Sequence, residues 1–284
     1  MNIDLSHKEL LAEEREQLES VLKEQNPNID DDLEQIWYLI DLAWEQNGCD
    51  NKHLDWDKIG RFYAHPVWLL NGLFIESHAL STSIRKAIAQ YIANKGFSRI
   101  CDFGGGFGSL AKEIARLCPN AEVDIYEPFP SEYGKKRIKE FSNISFVSNI
   151  KEGYYDCLVS TDVLEHVDDV LGTFETMLDS IKIGGEALIG NCFYPVIKCH
   201  LPKHFHYRYS FKYVAMTLGL KYGGVIDGAE YVQIYTKHKT QHTNIATKMA
   251  MRGGQLMYVP LNILKPIVKP ILKPLLKSLK NLRE

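Results

Sequence analysis

An open α/β sheet behind a helical N-terminal extension is the fold this sequence predicts, on three observations. Residues 98–108, Ser-Arg-Ile-Cys-Asp-Phe-Gly-Gly-Gly-Phe-Gly, carry an apolar strand straight into a cluster of glycines, and a helical pattern begins at once with Ser109. A strand, a glycine turn and a helix in immediate succession form the ligand-binding corner of an open parallel sheet. Residues 96–238 alternate short apolar strands with helical stretches, as parallel strands joined by helices do. The first ~95 residues carry helical periodicity without a strand signal.

The elements follow in order. Ser6 and Glu9 have the spacing of a capping box and open a helix to about Gln25, where Asn26-Pro27 stops it. A second helix follows the Asp30-Asp31-Asp32 cap; Leu33, Ile36, Trp37, Ile40 and Trp44 make its apolar face, and Asn47-Gly48 closes it. Pro66 opens a third at Val67, and a fourth over 81–95 ends at Gly96. Strands are expected at 98–103, 122–127, 144–148, 155–160, 184–192, 220–227 and 230–237, the last two joined at Gly228 as a hairpin. The organisation expected is a helical extension over 1–80, a catalytic domain over 81–240 and a Lys/Pro-rich tail over 241–284.

At 284 residues the chain can bury one sizeable core plus an extension, and 45% hydrophobic with 24% charged residues is ordinary for a soluble protein. The net charge of −3 hides an asymmetry: residues 1–60 hold 16 acids and 5 bases, while 261–284 hold 6 bases and one acid. No basic face with interleaved aromatics points to nucleic acid. Cys49, Cys101, Cys118, Cys157, Cys192 and Cys199 include no C-x-x-C pair, and Cys101, Cys157 and Cys192 fall in expected buried strands, which fits a reducing, cytoplasmic setting. The start Met1-Asn2-Ile3-Asp4 is neither basic nor apolar, and no run of 18 apolar residues exists, so neither a signal peptide nor a membrane span is expected.

Two cofactor classes use a glycine corner. A dinucleotide fingerprint needs G-x-G-x-x-G. Counted from Gly104 it requires glycine where Ser109 stands; counted from Gly105, where Phe107 and Leu110 stand. What is present is Asp102-x-Gly104-x-Gly106-x-Gly108, an acid before the glycines. This resembles the first motif of class I S-adenosylmethionine (SAM) dependent methyltransferases. The acid suits the cationic groups of SAM, and the helix N-terminus suits its carboxylate. Strand 121–126 ends at Glu127, whose carboxylate can accept hydrogen bonds from both ribose hydroxyls. Thr161-Asp162-Val163-Leu164-Glu165-His166-Val167 is similar to the motif after strand four in small-molecule methyltransferases, the ubiquinone-biosynthesis O-methyltransferases among them, and Ile181-Lys182-Ile183-Gly184-Gly185-Glu186-Ala187-Leu188-Ile189 resembles their turn into strand five.

The resemblance implies a Rossmann-like, doubly wound, seven-stranded and mostly parallel sheet with a terminal antiparallel hairpin. It places SAM on Asp102, Gly104, Gly105, Gly106, Gly108, Glu127, Asn149 and Thr161. Asn149 departs from the acid that the family usually carries there. Acceptor chemistry has two candidate places. Asp162, Glu165 and His166 share one face if a helix starts at 162; His166 is the expected base, and no metal is expected, the alternative being a divalent ion on these three side chains. The second is His200-Leu201-Pro202-Lys203-His204-Phe205-His206-Tyr207, a loop that covers the acceptor in resembling enzymes, with His204 first and His206 next as bases. Tyr63, His65, Trp68 and Asn71 can form a lid.

The acceptor expected is a small molecule or glycan, methylated on oxygen. Two other readings stay open: a SAM-binding partner protein without catalysis, and a peripheral-membrane enzyme acting on a quinone or polyprenyl-linked sugar. The tail motivates the latter, since Leu264 to Lys277 repeats a four-residue unit of Lys, Pro and two apolar residues. Proline every fourth residue opposes a regular helix, and the lysines suit the inner, anionic face of a membrane.

Overall fold

In the computed structural model the described residues are 3, 5 and 10–281, with 265–281 described through their backbone. Seven strands form one sheet: β1 (Arg99–Phe103), β2 (Glu122–Tyr126), β3 (Ile144–Val147), β4 (Tyr155–Thr161), β5 (Ile181–Gly190), β6 (Leu220–Ile226) and β7 (Ala229–Lys237). Their order is β3-β2-β1-β4-β5-β7-β6. β1 to β5 pair in parallel, and β7 runs antiparallel to both β5 and β6. The strand order reverses between β1 and β4, and the crevice beyond their carboxyl ends is where such sheets bind ligands. β5 begins three residues before its expected start. Ile181 pairs with Tyr155 ahead of an irregularity, and pairing resumes at Glu186. β5 ends at Gly190, so Cys192 lies in the segment beyond it.

Side chains alternate across each strand and feed two cores. Ile100, Val123, Ile125, Cys157 and Val159 pack with Ile88 and Ile92 of α5 (Ala79–Lys95) and Ala111 and Ile114 of α6 (Ser109–Leu117). Cys101, Phe103, Leu158 and Ile189 face the other way, onto Phe174 and Met177 of α8 (Val170–Ser180) and Phe211 and Val214 of α9 (Tyr207–Thr217). All six cysteines are free thiols, and burial pushes those of Cys101 and Cys157 well up, so they act as small hydrophobes.

The N-terminal layer is α1 (Ala12–Leu22), α2 (Asp32–Gln46), α3 (Trp56–Tyr63) and α4 (Val67–Ser77). Ser6 and Glu9 lie outside the described residues; at α1 it is Glu14 that caps, accepting from the Leu11 amide at 2.8 Å. Asp31 caps α2 as expected, accepting from the Leu33 and Glu34 amides at 2.9 Å. α3 was not anticipated, although Asp55 caps it in the same way, accepting from Asp57 and Lys58. Leu18, Ile36, Ile40, Phe62, Leu70 and Leu73 form a third core that continues into Tyr133, Cys199 and Leu201 of the sheet domain. The layer therefore packs against α7 (Glu132–Arg137) and the segment after β5.

The tail corrects the sequence expectation. α10 (Ile245–Asn281) is one continuous helix of 37 residues through Pro260, Pro266, Pro270 and Pro274. At four-residue spacing the last three prolines follow a single stripe, so the missing N–H groups fall on one side while the ladder continues elsewhere.

Candidate cofactor and acceptor site

The glycine turn sits at the end of β1. Gly104, Gly106 and Gly108 have φ of +76°, +52° and +72°, a backbone that side chains rarely adopt. A Cβ on Gly106 would meet nothing within 4 Å, so this residue faces open space at the crevice. A Cβ on Gly105 would lie 2.7 Å from Oδ2 of Asp102, so the turn wraps that carboxyl. Asp102 is buried, and Oδ2 is without a hydrogen-bond partner. Burial, reinforced by the charge of Glu127, raises this carboxyl to about 7.

Glu127, just beyond β2, ties the strands together. Its Oε2 accepts from the Gly106 amide and its Oε1 from the Phe129 amide, both at 3.0 Å. Burial raises its carboxyl as well. Gly108 stands at the N-cap of α6, and the Asp102 carboxyl accepts from the Ala111 amide in the first turn of that helix. Thr161 ends β4 half-buried in the crevice. Asn149 is exposed beyond β3, its amide donating to Ser148 Oγ at 3.4 Å. The set suits SAM: a buried carboxyl with one oxygen unpartnered for a cation, a second carboxylate for hydroxyls, and a helix N-terminus beside them.

After β4 no helix begins. Asp162 has φ +55°, the one non-glycine residue with positive φ among the described residues, and its amide donates to the Gly190 carbonyl at 2.8 Å. That bond extends the β4–β5 ladder and turns the chain, so α8 waits until Val170. Asp162 therefore parts from Glu165 and His166: its Oδ2 faces the Tyr231 hydroxyl at 3.4 Å. It keeps accessible surface in the crevice, while the protein around it raises its carboxyl to about 6.

Glu165, His166 and His200 come together instead, one ligand atom from each lying within 4.8 Å of the others. Glu165 is fully buried; Oε1 accepts from the Cys192 amide at 2.6 Å and Oε2 has no partner. Burial and the charge of Asp162 push this carboxyl to about 8. His166 is pushed down to about 3, first by burial and then by His200, so its imidazole is neutral at pH 7, and its Nδ1 is unpartnered. The two rings are 4.8 Å apart at 76°. His200 Nδ1 donates to the Tyr194 carbonyl at 2.7 Å, which leaves Nε2 as the acceptor nitrogen. His200 opens the loop that carries His204 and His206, and residues 167–199 separate it from His166, so no local pattern in the sequence signals the pair.

The other two histidines are placed differently. His204 ends a 3-10 turn (Pro202–His204), is buried, and donates from Nε2 to the Val167 carbonyl at 2.8 Å. It joins the turn after β4 to the segment after β5. Burial lowers it to about 4. His206 is the N-cap of α9, buried, with Nδ1 only 3.4 Å from where a Cβ on Gly254 of α10 would stand. It lies beneath the C-terminal helix, and its Nδ1 has no hydrogen-bond partner.

The N-terminal layer closes one side. Tyr63 stacks between Trp68, at 5.3 Å and 29°, and Phe129, at 6.1 Å and 21°. Both Tyr63 and Trp68 meet the His166 ring edge-on at 6.2 and 6.3 Å. Trp68 Nε1 is buried without a partner, as is Asn191 Oδ1. His65 instead caps α4, its Nδ1 accepting from the Val67 amide at 3.2 Å.

This geometry defines a class: a glycine-turn ligand corner on a seven-stranded doubly wound sheet. The family described as "Methyltransferase domain" matches residues 77–212. The chain is similar to a ubiquinone biosynthesis O-methyltransferase of Shewanella sp. (strain ANA-3), 29% identical over 146 residues, which are 48% of this chain and 61% of that protein. The chain thus spans about three fifths of that relative. Solved structures also align: human N-acetylserotonin methyltransferase with SAM (19% identical, 81% of this chain and 67% of that one, TM-score 0.46) and the N-methyltransferase NodS of Bradyrhizobium japonicum with S-adenosyl-L-homocysteine (13%, 57% and 90%, TM-score 0.44). Residues 77–212 thus form a SAM-dependent methyltransferase domain of class I type, and SAM is the cofactor of that domain.

Proposed function

We propose that the whole chain methylates a hydroxyl oxygen of a small-molecule or glycan acceptor. The carrying observation is the set of buried, unpartnered polar atoms around the His166 ring: Trp68 Nε1, Glu165 Oε2 and His166 Nδ1. An unsatisfied buried polar atom costs about 1–3 kcal/mol, and an acceptor with hydroxyl groups satisfies donors and acceptors alike. When bound, SAM supplies an electrophilic methyl. Asp102 and Glu127 hold the cation and the sugar of that nucleoside, and Gly104–Gly108 leave room for it. Tyr63, Trp68 and Phe129 wall off water. His166 takes the hydroxyl proton on Nδ1 as oxygen gains its methyl, while Glu165, protonated near neutrality, donates to the acceptor. His204 positions this machinery through its bond to Val167. With all glycines and both acids in place, catalysis is favoured over a SAM-binding partner without turnover.

A second reading has its own observation. Glu165, His166 and His200 offer three ligand atoms within 4.8 Å, and a divalent ion there would lower the pKa of the hydroxyl. Chelation separates the two: unchanged turnover in EDTA supports the imidazole base, and loss restored by Mg²⁺ or Mn²⁺ supports the ion.

The test of the main reading is release of S-adenosylhomocysteine across a panel of hydroxylated acceptors, with the product bond assigned by NMR. An O–CH₃ product supports it; an N–CH₃ or C–CH₃ product overturns it.

A further inference from the structure

α10 holds seven bases, Lys248, Arg252 and five lysines between 265 and 280, and no acid in 37 residues. Its first half docks by one face only. Thr217 Oγ1 donates to Thr247 Oγ1 at 2.9 Å, Gly254 lies against Ser210 with no room for a Cβ, and Asn262 Oδ1 accepts from Arg208 at 3.0 Å and Tyr209 at 2.9 Å. The opposite face is open and, apart from Arg252, apolar. Ile245, Met249, Leu256, Val259 and Ile263 recur at helical spacing and are 59–78% exposed. Such a seam on a helix end is a docking surface that needs an occupant.

Charge selects the occupant. The seam has near-heptad spacing and could pair with a second copy, but that would bring two acid-free, sevenfold-cationic helices together. A nucleic acid would match the charge and leave the apolar seam in water. An anionic bilayer matches both. No helix among the described residues is long and apolar enough to cross a membrane, so the helix lies on it. The prolines fit that depth, because carbonyls freed by the missing N–H groups find water and headgroups at an interface and would find nothing in hydrocarbon.

We propose that α10 is an in-plane anchor for anionic phospholipid, its Ile245–Ile263 seam set into the bilayer. The anchor connects to the site: Arg208, bonded to Asn262, also donates to the Phe193 carbonyl at 3.1 Å and covers the Tyr194 ring at 3.7 Å, in the segment that bears His200. Docking itself needs no turnover; drawing the acceptor from lipid rests on the function proposed above.

The test is co-sedimentation of the full chain with phosphatidylcholine vesicles, with and without phosphatidylglycerol. Each cation near an anionic surface contributes roughly fivefold in partition, so binding is expected to rise at least about tenfold with phosphatidylglycerol and to fall again in high salt. Leu256→Asp and Ile263→Asp, on the open face, are each expected to lower partition about tenfold while SAM binding and turnover of a soluble acceptor stay unchanged. Equal partition on neutral vesicles, or none on either, overturns the anchor. Self-association of the free protein that Leu256→Asp abolishes overturns it in favour of a second copy, and binding of duplex DNA with no vesicle binding overturns it too. None of these readouts depends on the acceptor, so failure of the function and failure of the anchor are distinguishable.

Discussion

Gly72 of α4 lies against the ring of Phe107, so closely that a Cβ on the glycine would stand 2.4 Å from ring atom Cε2. Phe107 is the one bulky residue inside the glycine turn. Its backbone also abuts Gly134 of α7, where an added Cβ would meet the Phe107 Cα at 3.2 Å, and its ring meets Tyr133 edge-on at 5.4 Å. Two helices thus pin the turn through one ring, and the N-terminal layer becomes part of the cofactor site. Ser109 Oγ adds a bond to Glu76 of α4 at 2.9 Å, and Arg137 of α7 pairs with the same carboxylate.

Gly72→Ala is therefore expected to weaken SAM binding, although residue 72 does not reach the cofactor. Overpacking costs about 1–3 kcal/mol, which predicts a lower melting temperature and roughly tenfold weaker SAM by calorimetry. Phe107→Leu in the same chain frees the space and is expected to restore part of both; a Gly72→Ala protein with wild-type affinity would refute the clamp.

SAM affinity is expected to depend on pH through Asp102. Its carboxyl, raised to about 7 by burial, holds a proton in the ligand-free protein at pH 6. A cationic ligand favours the carboxylate, so binding releases that proton. Affinity then rises with pH, by up to about tenfold per unit below 7, and levels off above it. Ligand-free stability has the opposite sign: the native state binds the extra proton, so this group's contribution falls as pH climbs from the ordinary carboxyl range to about 7. Calorimetry in buffers of different ionisation enthalpy checks the proton release, and Asp102→Asn is expected to abolish it.

His166→Ala is expected to lower kcat by about 10²–10⁴ and to leave SAM affinity unchanged. Because burial keeps the His166 imidazole neutral down to about 3, the acid limb of kcat should lie far below 6.5. An acid limb near 6.5 in the wild type would contradict the assignment. His206→Ala, beneath α10, is expected to leave kcat within about twofold.

Trp68→Phe keeps the ring that stacks on Tyr63 and removes only the unpartnered Nε1 donor. The expected outcome is a raised KM for the acceptor, by about 5- to 100-fold if the donor meets a hydroxyl, with SAM affinity intact. Unchanged KM for every acceptor would remove Trp68 from acceptor binding.

Much of this was legible in the chain because it is local. The strands are marked by their own apolar residues, the N-cap of α2 by Asp31, and the Asp102–Gly108 turn is contiguous in sequence. What escaped was non-local. The pairing of His166 with His200 depends on how the segment after β5 folds back over the turn after β4, through Leu201 donating to the Glu165 carbonyl at 3.0 Å. The departure of Asp162 from that group depends on a single left-handed residue. Phe107 reads as a spoiler in a glycine motif until Gly72 and Gly134 are seen beside it. Proline periodicity misled at α10, where the lost donors share one stripe of the helix.

The most direct measurement is a calorimetric titration of the purified chain with SAM, set beside the same titration of Gly106→Val. A single saturable site in the first and none in the second is the result expected, because Gly106 needs φ +52° and faces open crevice. No uptake of SAM or S-adenosylhomocysteine by the wild type, or equal uptake by both proteins, would contradict the account.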